Sequence, residues 1–533
     1  MALRVLVSDT IAPEGMAYLE AAEGIEVTDG TGWSRDELLQ RIGDYHGLIV
    51  RSATRVDREL IDAAHSLRVV GRAGVGVDNV DLVAATRKGI LVINSPEGNT
   101  LSTAEHTLAM MLAVARKIPQ AHASLTREGK WERNRFVGVQ LFGKTLGVIG
   151  LGRIGTEVSE RALALGMKVM AYDPLLNEER AKRLGVILAT IEEICRQADF
   201  ITVHTPLTRE TEGLIGEREF NMMKQGVYII NCARGGIIDE DALYNAIVSG
   251  KVAGAALDVF KNEPPTGHPL LSLEQVVATP HLGASTHEAQ VSVAVDVVQS
   301  VVRALAGEPV KYAVNAPALR AEGVDGLAPY LKLAERIGHF FTSVFGGHFE
   351  RFEVIYRGEA ARFDEEALTT ALLKGMLEHM LHGGVNYVNA RYLAEERQMR
   401  ISVTKEGAGE PHPNSITLRG RLGERVRQAT GIVVDGKRSV IVDIDGYAVN
   451  VATEGRILVA YNVDRPGIIG RVGTLLGEHG INIAYMQVGR KEVGSYAVMV
   501  LGIDNPLDDE VLARLRALND LRDVRLVEWP AIT

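Results

Sequence analysis

Short aliphatic runs separated by longer amphipathic stretches fill the first half of the chain. Over residues 1–99 the runs are Val5–Val7, Gly47–Arg51, Arg68–Arg72 and Ile90–Ile93. Solid apolar runs of this length are what strands covered on both faces need, so they predict a parallel α/β domain. Residues 140–287 repeat the rhythm with Thr145–Ile149, Lys168–Tyr172, Phe200–Val203, Val227–Ile230, Ala253–Leu257 and Gln275–Ala278. Strands at this spacing with helices between them predict doubly wound parallel sheets, whose ligands sit beyond the strands' carboxyl ends. Ser102-Thr-Ala-Glu105 has the form of a capping box and predicts the start of an apolar helix through Leu108–Ile118. A further helix is expected over Ala289–Ala306, followed by a boundary in the Pro- and Gly-punctuated segment Gly307–Pro317. Residues 318–453, with the strand-like run Ser439–Asp443 and the polar loop Lys405–Asn414, suggest an α+β domain. From Arg456 the order becomes β-α-β-β-α-β, the split arrangement of ferredoxin-like domains.

Composition narrows the class of protein. The 533 residues exceed what one core supports. They divide as 1–99 with 288–317, then 100–287, 318–453 and 454–533. A formal net charge of −10 argues against general nucleic-acid binding, which leaves a basic footprint. No apolar run reaches the length of a membrane span, and the amino terminus enters a strand pattern directly, so a cytoplasmic protein is expected. The two cysteines, Cys195 and Cys232, match no metal spacing and read as small core residues. No metal is expected.

Gly150-Leu-Gly-Arg-Ile-Gly155 follows an aliphatic strand and opens a helix, and the next strand ends at Asp173. In that context Gly150 makes a tight turn, Gly152 lets a pyrophosphate approach the backbone, and Gly155 brings helix and strand together. Asp173 accepts hydrogen bonds from a ribose diol. The following Pro174–Asn177 carries no cation for a 2′-phosphate, so NAD is favoured. Three more strand ends carry ionisable groups: Arg234, then Asp258 with Glu263, then His281. Hydride exchange with a 2-keto acid needs a cation for the carboxylate and a proton donor at the carbonyl. Arg234 suits the first role and His281 the second, with Glu263 orienting the imidazole and favouring its charged form. The same spacing also fits a structural Arg234–Glu263 pair with His281 as a helix cap. Arg51 and Arg72 each close an apolar run, and Arg133 and Arg135 lie in "KWERNRF". More cations than one carboxylate needs suggest a second anionic group, such as a phosphate.

Gly150–Gly155, "NCARGG", "ALDVF…EPP" and "PHLGAST" closely resemble the D-isomer-specific 2-hydroxyacid dehydrogenases, and the whole chain resembles their long, phosphoglycerate-oxidising branch. The resemblance implies catalysis by Arg234, Glu263 and His281. It implies cofactor contacts at Arg153, Ile154, Asp173, Thr205, Cys232, Ala233, Arg234, Asp258 and the run His281, Leu282, Gly283 and Ala284. It also implies phosphate recognition by Arg51, Arg72, Asn99 and Arg135, oxidation of 3-phosphoglycerate to 3-phosphohydroxypyruvate, and a homotetramer. Residues 1–99 with 288–317 become the substrate domain and 100–287 the dinucleotide domain. Residues 318–453 become an intervening regulatory domain. "YNVDRPGIIGRVG" resembles an ACT domain, an amino-acid sensor, in which positions matching Asn462, Asp464 and Asn482 bind L-serine as a feedback inhibitor. A glyoxylate or hydroxypyruvate reductase, and a non-enzymatic NAD-gated scaffold, are the competing expectations.

Overall fold

The computed structural model describes residues 2–316, 326–346, 349, 351–381 and 384–529; of the expected boundary segment, Pro317 lies outside the described residues. The first sheet holds β1 (Leu3–Val7), β2 (Ile25–Asp29), β3 (Gly47–Val50), β4 (Val69–Arg72) and β5 (Leu91–Ile93), all parallel, in the order β2-β1-β3-β4-β5. Every residue of β3 and β5 is buried, which is why these strands read as unbroken aliphatic runs. The edge strand β2, "IEVTD", is partly exposed and mixed in composition, and carries no such signal. The order reverses between β1 and β3, so the loops leaving these strands border a crevice. The helix His287–Leu305 returns to cover this sheet. Its Val297 and Val301 lie so close over Gly71 that a Cβ there would come within 2.7 and 2.6 Å of them.

The second sheet contains β6 (Thr145–Ile149), β7 (Lys168–Tyr172), β8 (Ile187–Leu188), β9 (Phe200–Val203), β10 (Val227–Asn231), β11 (Val252–Leu257) and β12 (Val276–Ala278). All pairs are parallel and the order is β12-β11-β10-β9-β6-β7-β8, with its reversal between β6 and β9. The helix that joins the sheets departs from the sequence expectation. It spans Thr100–Arg116 with Asn99 before it, so Ser102 and Glu105 lie inside the helix and form no capping box. The Ser102 hydroxyl instead meets the Thr286 hydroxyl at 2.7 Å, a long-range partner that sequence spacing does not reveal. The helix stops where Lys117 turns left-handed, and a second helix, Ile118–Arg127, continues the chain.

The remaining chain forms two antiparallel layers that share one apolar core. β13 (Arg351–Arg357), β14 (Arg400–Glu406), β15 (Ser415–Leu422), β16 (Arg425–Val434), β17 (Arg438–Ile444) and β18 (Tyr447–Ala452) make a sheet of order β14-β13-β15-β16-β17-β18, with only β13–β14 parallel. Helices Leu327–Phe345 and Glu365–Leu381 cross at Gly338 and Gly375, where Cβ atoms would lie 2.1 and 1.9 Å from the other helix's carbonyl oxygens. The last unit has β19 (Arg456–Val463), β20 (Ile483–Arg490), β21 (Tyr496–Ile503) and β22 (Leu521–Glu528) in the order β20-β21-β19-β22, with helices Ile468–Glu478 and Asp509–Arg516. Val459, Tyr461, Val500 and Val527 of this unit pack with Leu418 and Ile441 of the preceding sheet. Asn386 donates to the Gly89 carbonyl at 2.8 Å and ties this half of the chain to the first sheet's unit.

Candidate active site

The glycine loop lies at the reversal of the second sheet. Gly150 has φ 96°, and a Cβ on it would sit 2.8 Å from the His204 carbonyl carbon, so the loops after β6 and β9 touch there. A Cβ on Gly155 would stand 2.1 Å from the Gly150 carbonyl oxygen. Nothing lies within 4 Å of the Cβ position of Gly152. Gly152 also precedes the helix Arg153–Ala164, which no side chain caps. Free N–H groups at a helix start beside open space suit a pyrophosphate. Asp173, just past β7, accepts from the Leu151 and Leu175 N–H groups, each at 2.9 Å, so it is fixed beside the loop. The Thr205 hydroxyl is buried without a hydrogen-bond partner among the described residues. These groups fit NAD: the loop would take the pyrophosphate and Asp173 the adenosine ribose. Arg153 reaches Glu97 at 3.2 Å, while Ile154 packs on the sheet's core. Arg180 donates to the Leu151 carbonyl at 3.2 Å, a cation near the loop that the Pro174–Asn177 reading did not cover.

His281 follows β12 in a left-handed conformation, φ 54°, and its Nδ1 lies 2.9 Å from Glu263 Oε2. The other Glu263 oxygen accepts from the Phe260 N–H at 3.1 Å, which fixes the carboxylate's direction. Burial pushes the Glu263 pKa up, but the hydrogen bond and charge of His281 outweigh it and hold the carboxyl below its ordinary range. The turn itself hangs on Asp258, which is 1% exposed. Its carboxylate accepts from the Thr279 hydroxyl at 2.5 Å, the Leu282 N–H at 2.7 Å and the Gly283 N–H at 2.9 Å, with His106 Nε2 at 3.1 Å. Burial raises the Asp258 pKa, and these donors, His106 foremost, more than reverse it, leaving it lowered.

Arg234 is presented by a turn that Asn231 shapes: its amide oxygen accepts from the Ala233 N–H at 3.0 Å and its Nδ2 donates to the Arg234 carbonyl at 2.9 Å. Gly235 is required next, because a Cβ would collide with the Phe260 carbonyl carbon at 2.0 Å. The guanidinium lies across Gly76 and donates from Nε to Asp78 at 3.2 Å. Cys232 and Ala233 stand at the head of this turn, and burial pushes the Cys232 thiol up to about 12, so it stays protonated. Cys195 is likewise buried.

Arg234, Glu263 and His281 share a cleft of about 880 Å³ with Arg51, Arg72 and Asn99 from the first sheet's side. Arg51 follows β3 in a loop pinned by Asp9, which accepts from the Arg51 N–H at 2.6 Å, the Thr54 N–H at 3.0 Å and the Thr54 hydroxyl at 2.5 Å. Asn79 holds the same loop through the Arg51 and Thr54 carbonyls, both at 2.7 Å. Burial, helped by the charge of Arg234, pushes the Arg72 pKa down to about 10. An arginine so desolvated beside other cations is poised for an anionic ligand. The Asn99 Oδ1 is buried and has no hydrogen-bond partner among the described residues. Arg135 does not line the cleft; it pairs with Glu274 at 2.8 Å and Glu132 at 3.2 Å on an exposed segment. Asp9, Asn79, Asp78, Glu97, His106 and the cleft residue Arg55 escaped sequence reasoning. An acid closing the first strand pattern, "LVSD", was the one available signal.

In the last unit, Asn462 is buried, its Oδ1 without a hydrogen-bond partner among the described residues, and Asp464 pairs with Arg490 at 3.4 Å. Asn482 donates to Asp504 at 2.6 Å. Asn462 pairs with Ala497, which also faces Arg490, whereas Ile483 pairs with Ile503. The length of β20 therefore separates Asn482 from Asn462 and Asp464 within one chain, roughly 20 Å.

A parallel sheet reversing beside a glycine loop, with a His–Glu pair and an arginine across the cleft, defines an NAD-binding dehydrogenase of 2-hydroxy acids. Residues 108–283 match the D-isomer-specific 2-hydroxyacid dehydrogenase NAD-binding domain, 326–445 the D-3-phosphoglycerate dehydrogenase intervening domain, and 456–520 the ACT domain. The chain is 44% identical to the D-3-phosphoglycerate dehydrogenase of Methanocaldococcus jannaschii over 98% of this chain and 99% of that one. It is 45% identical to that of Archaeoglobus fulgidus over 99% and 100%, and 44% identical to that of Bacillus subtilis over the same shares. A crystallised Thermus thermophilus protein superposes with TM-score 0.54 at 37% identity, covering 58% of this chain and all of its own. D-lactate dehydrogenase of Aquifex aeolicus, crystallised with NAD and lactic acid, gives TM-score 0.50 at 29% identity over 57% of this chain and 96% of its own. The chain belongs to the D-3-phosphoglycerate dehydrogenase family of D-isomer-specific 2-hydroxyacid dehydrogenases.

Proposed function

We propose that this protein oxidises 3-phospho-D-glycerate to 3-phosphohydroxypyruvate with NAD, the first step toward L-serine. The observation that carries the reading is one cleft in which the His281–Glu263 pair and Arg234 face Arg51 and Arg72. Because Glu263 occupies Nδ1, the Nε2 of His281 is the nitrogen left to take the proton of the C2 hydroxyl. Bound NAD supplies the hydride acceptor. Arg234 grips the carboxylate, and Arg51, Arg72 and Asn99 take the phosphate end. Glu263 favours the imidazolium that the proton transfer creates. Asp258 holds Leu282 and Gly283, while Arg153, Ile154, Thr205, Cys232, Ala233 and Ala284 complete the cofactor's surroundings. Residues 1–99 with 288–317 form the substrate domain and 100–287 the dinucleotide domain. Residues 318–453 and 454–533 are regulatory.

L-serine is the proposed inhibitor, held by Asn462 and Asp464 of one copy and Asn482 of another. The separation of these residues along β20 supports a site shared between copies. A cytoplasmic homotetramer is the proposed assembly. Apolar side chains on the segment after the joining helix, Trp131 at 77% exposed and Phe142 at 70%, support a subunit contact there. Consumption of NADH with 3-phosphohydroxypyruvate against glyoxylate, with and without serine, tests the whole reading. Faster turnover of glyoxylate would assign a plain reductase instead, and the absence of turnover with either substrate would leave a binding scaffold.

A further inference from the structure

We propose that Asp78 and Glu97 are stand-in anions: each carboxylate holds an arginine of the second sheet's unit until a ligand oxyanion replaces it. The proposal rests on the reading above, in which Arg234 takes a substrate carboxylate and Arg153 borders the cofactor, and it gives Arg153 the pyrophosphate in particular. Asp78 lies beyond β4 and reaches Arg234 with a single contact, Oδ2 to Nε at 3.2 Å, while its side chain stays 70% exposed. Of the other acids near this cluster, Asp9 spends both oxygens on three donors of the Arg51 loop and Glu263 spends its two on the Phe260 N–H and His281, so neither has an oxygen to release. Asp78 is therefore the exchangeable counter-charge of a cleft that holds Arg51, Arg72 and Arg234. Its carboxylate occupies the guanidinium that a substrate carboxylate would use, and it repels that carboxylate.

Glu97 repeats the arrangement at the cofactor loop. Its Oε1 lies 3.2 Å from Arg153, and its Oε2 is 2.9 Å from Lys311 Nζ and 2.5 Å from the Tyr312 hydroxyl. The hydrogen bond from Tyr312 and the contact with Lys311 hold the Glu97 carboxyl below its ordinary range, so it is ionised at neutral pH. When Arg153 turns to a pyrophosphate, Glu97 keeps Lys311 and Tyr312, and no carboxylate is left bare. Both acids lie on the first-sheet side or its crossover, and both arginines on the second. Binding of the two anionic ligands thus exchanges two cross-cleft ties for ligand contacts, each with its own ligand.

Two isosteric variants test this in the full-length protein. Exposed ion pairs are weak, so D78N should lower the Michaelis constant for 3-phosphoglycerate, and the dissociation constant of oxalate with NADH bound, by about two- to five-fold. Its kcat and its Michaelis constant for NAD should move less. E97Q, whose amide oxygen can still accept from Tyr312 and Lys311, should tighten ADP by a similar factor in calorimetry and leave adenosine, which has no phosphates, unchanged. D435N, which removes an equal charge from the exposed Asp435–Arg438 pair of the third unit, controls for net charge. Unchanged or weakened affinities in D78N and E97Q, or equal tightening of oxalate and ADP in all three variants, would overturn the proposal. Lack of turnover with 3-phosphohydroxypyruvate would remove the proposed function instead, since the oxalate and ADP titrations need no catalysis.

Discussion

Asp258→Asn is expected to injure stability and catalysis together, although Asp258 is not assigned to touch the reacting carbon. The carboxylate is 1% exposed and serves four donors: Thr279, Leu282, Gly283 and His106. An amide can keep its oxygen toward Thr279, Leu282 and His106, but its NH2 then opposes the Gly283 N–H, and charge assistance to the rest is lost. One buried donor without an acceptor, plus that weakening, costs about 2–4 kcal/mol. For a unit of this size the loss lowers Tm by about 4–15 °C. His281 begins the turn so held, its own N–H on the Asp258 carbonyl at 2.9 Å. A displacement of the turn by a fraction of an ångström should cut kcat/KM by at least about 10-fold. Thermal melting of the full chain and steady-state NADH kinetics read the two effects. The folded-state pKa of Asp258 is lowered, so its stabilisation is present above the ordinary aspartate value of about 3.9 and is lost as pH falls through the folded-state value. An Asn variant with the parent's Tm and kcat/KM would refute the anchoring role.

Gly152→Ala and Gly155→Ala should separate binding from folding. The first adds a methyl to open space, so Tm should hold while the Michaelis constant for NAD rises about 10-fold or more, and the second drives Cβ into the Gly150 carbonyl and should lower Tm as well. Arg72→Ala should raise the Michaelis constant for the phosphorylated substrate far more than that for NAD, since a charge-assisted contact contributes about 1.5–3 kcal/mol; an unchanged value would remove its phosphate role. Asp464→Ala should abolish inhibition by serine without lowering uninhibited kcat, and retained inhibition would exclude Asp464 from the effector site.

Local chemistry made the cofactor loop legible. Gly150 and Gly155 are demanded by neighbours a few residues away or on an adjoining strand end, and the largely buried strands β3 to β5, β6, β7 and β9 to β11 must be apolar wherever they sit in the chain. Arg234, Glu263 and His281 were visible as ionisable groups at strand ends, although their spacing alone left a structural ion pair open. The partly exposed strand β2 escaped because mixed composition hides a strand, and β8 because it is two residues long. The helix start at Thr100 escaped because Ser102 found a partner on a distant segment.

The order of apolar runs, glycines and strand-end charges by itself determined two doubly wound sheets and an NAD loop, and it put Arg234, Glu263 and His281 at strand ends. Those follow from backbone sterics and burial, which act over short stretches of chain. Only the tertiary structure decided that Asp78 faces Arg234 from 156 positions away, that Glu97 reaches Arg153, and that Arg135 points away from the cleft toward Glu274. Charge pairs across a cleft depend on how two sheets are set against each other. That relation comes from packing shared by the joining and returning helices, and no local pattern encodes it.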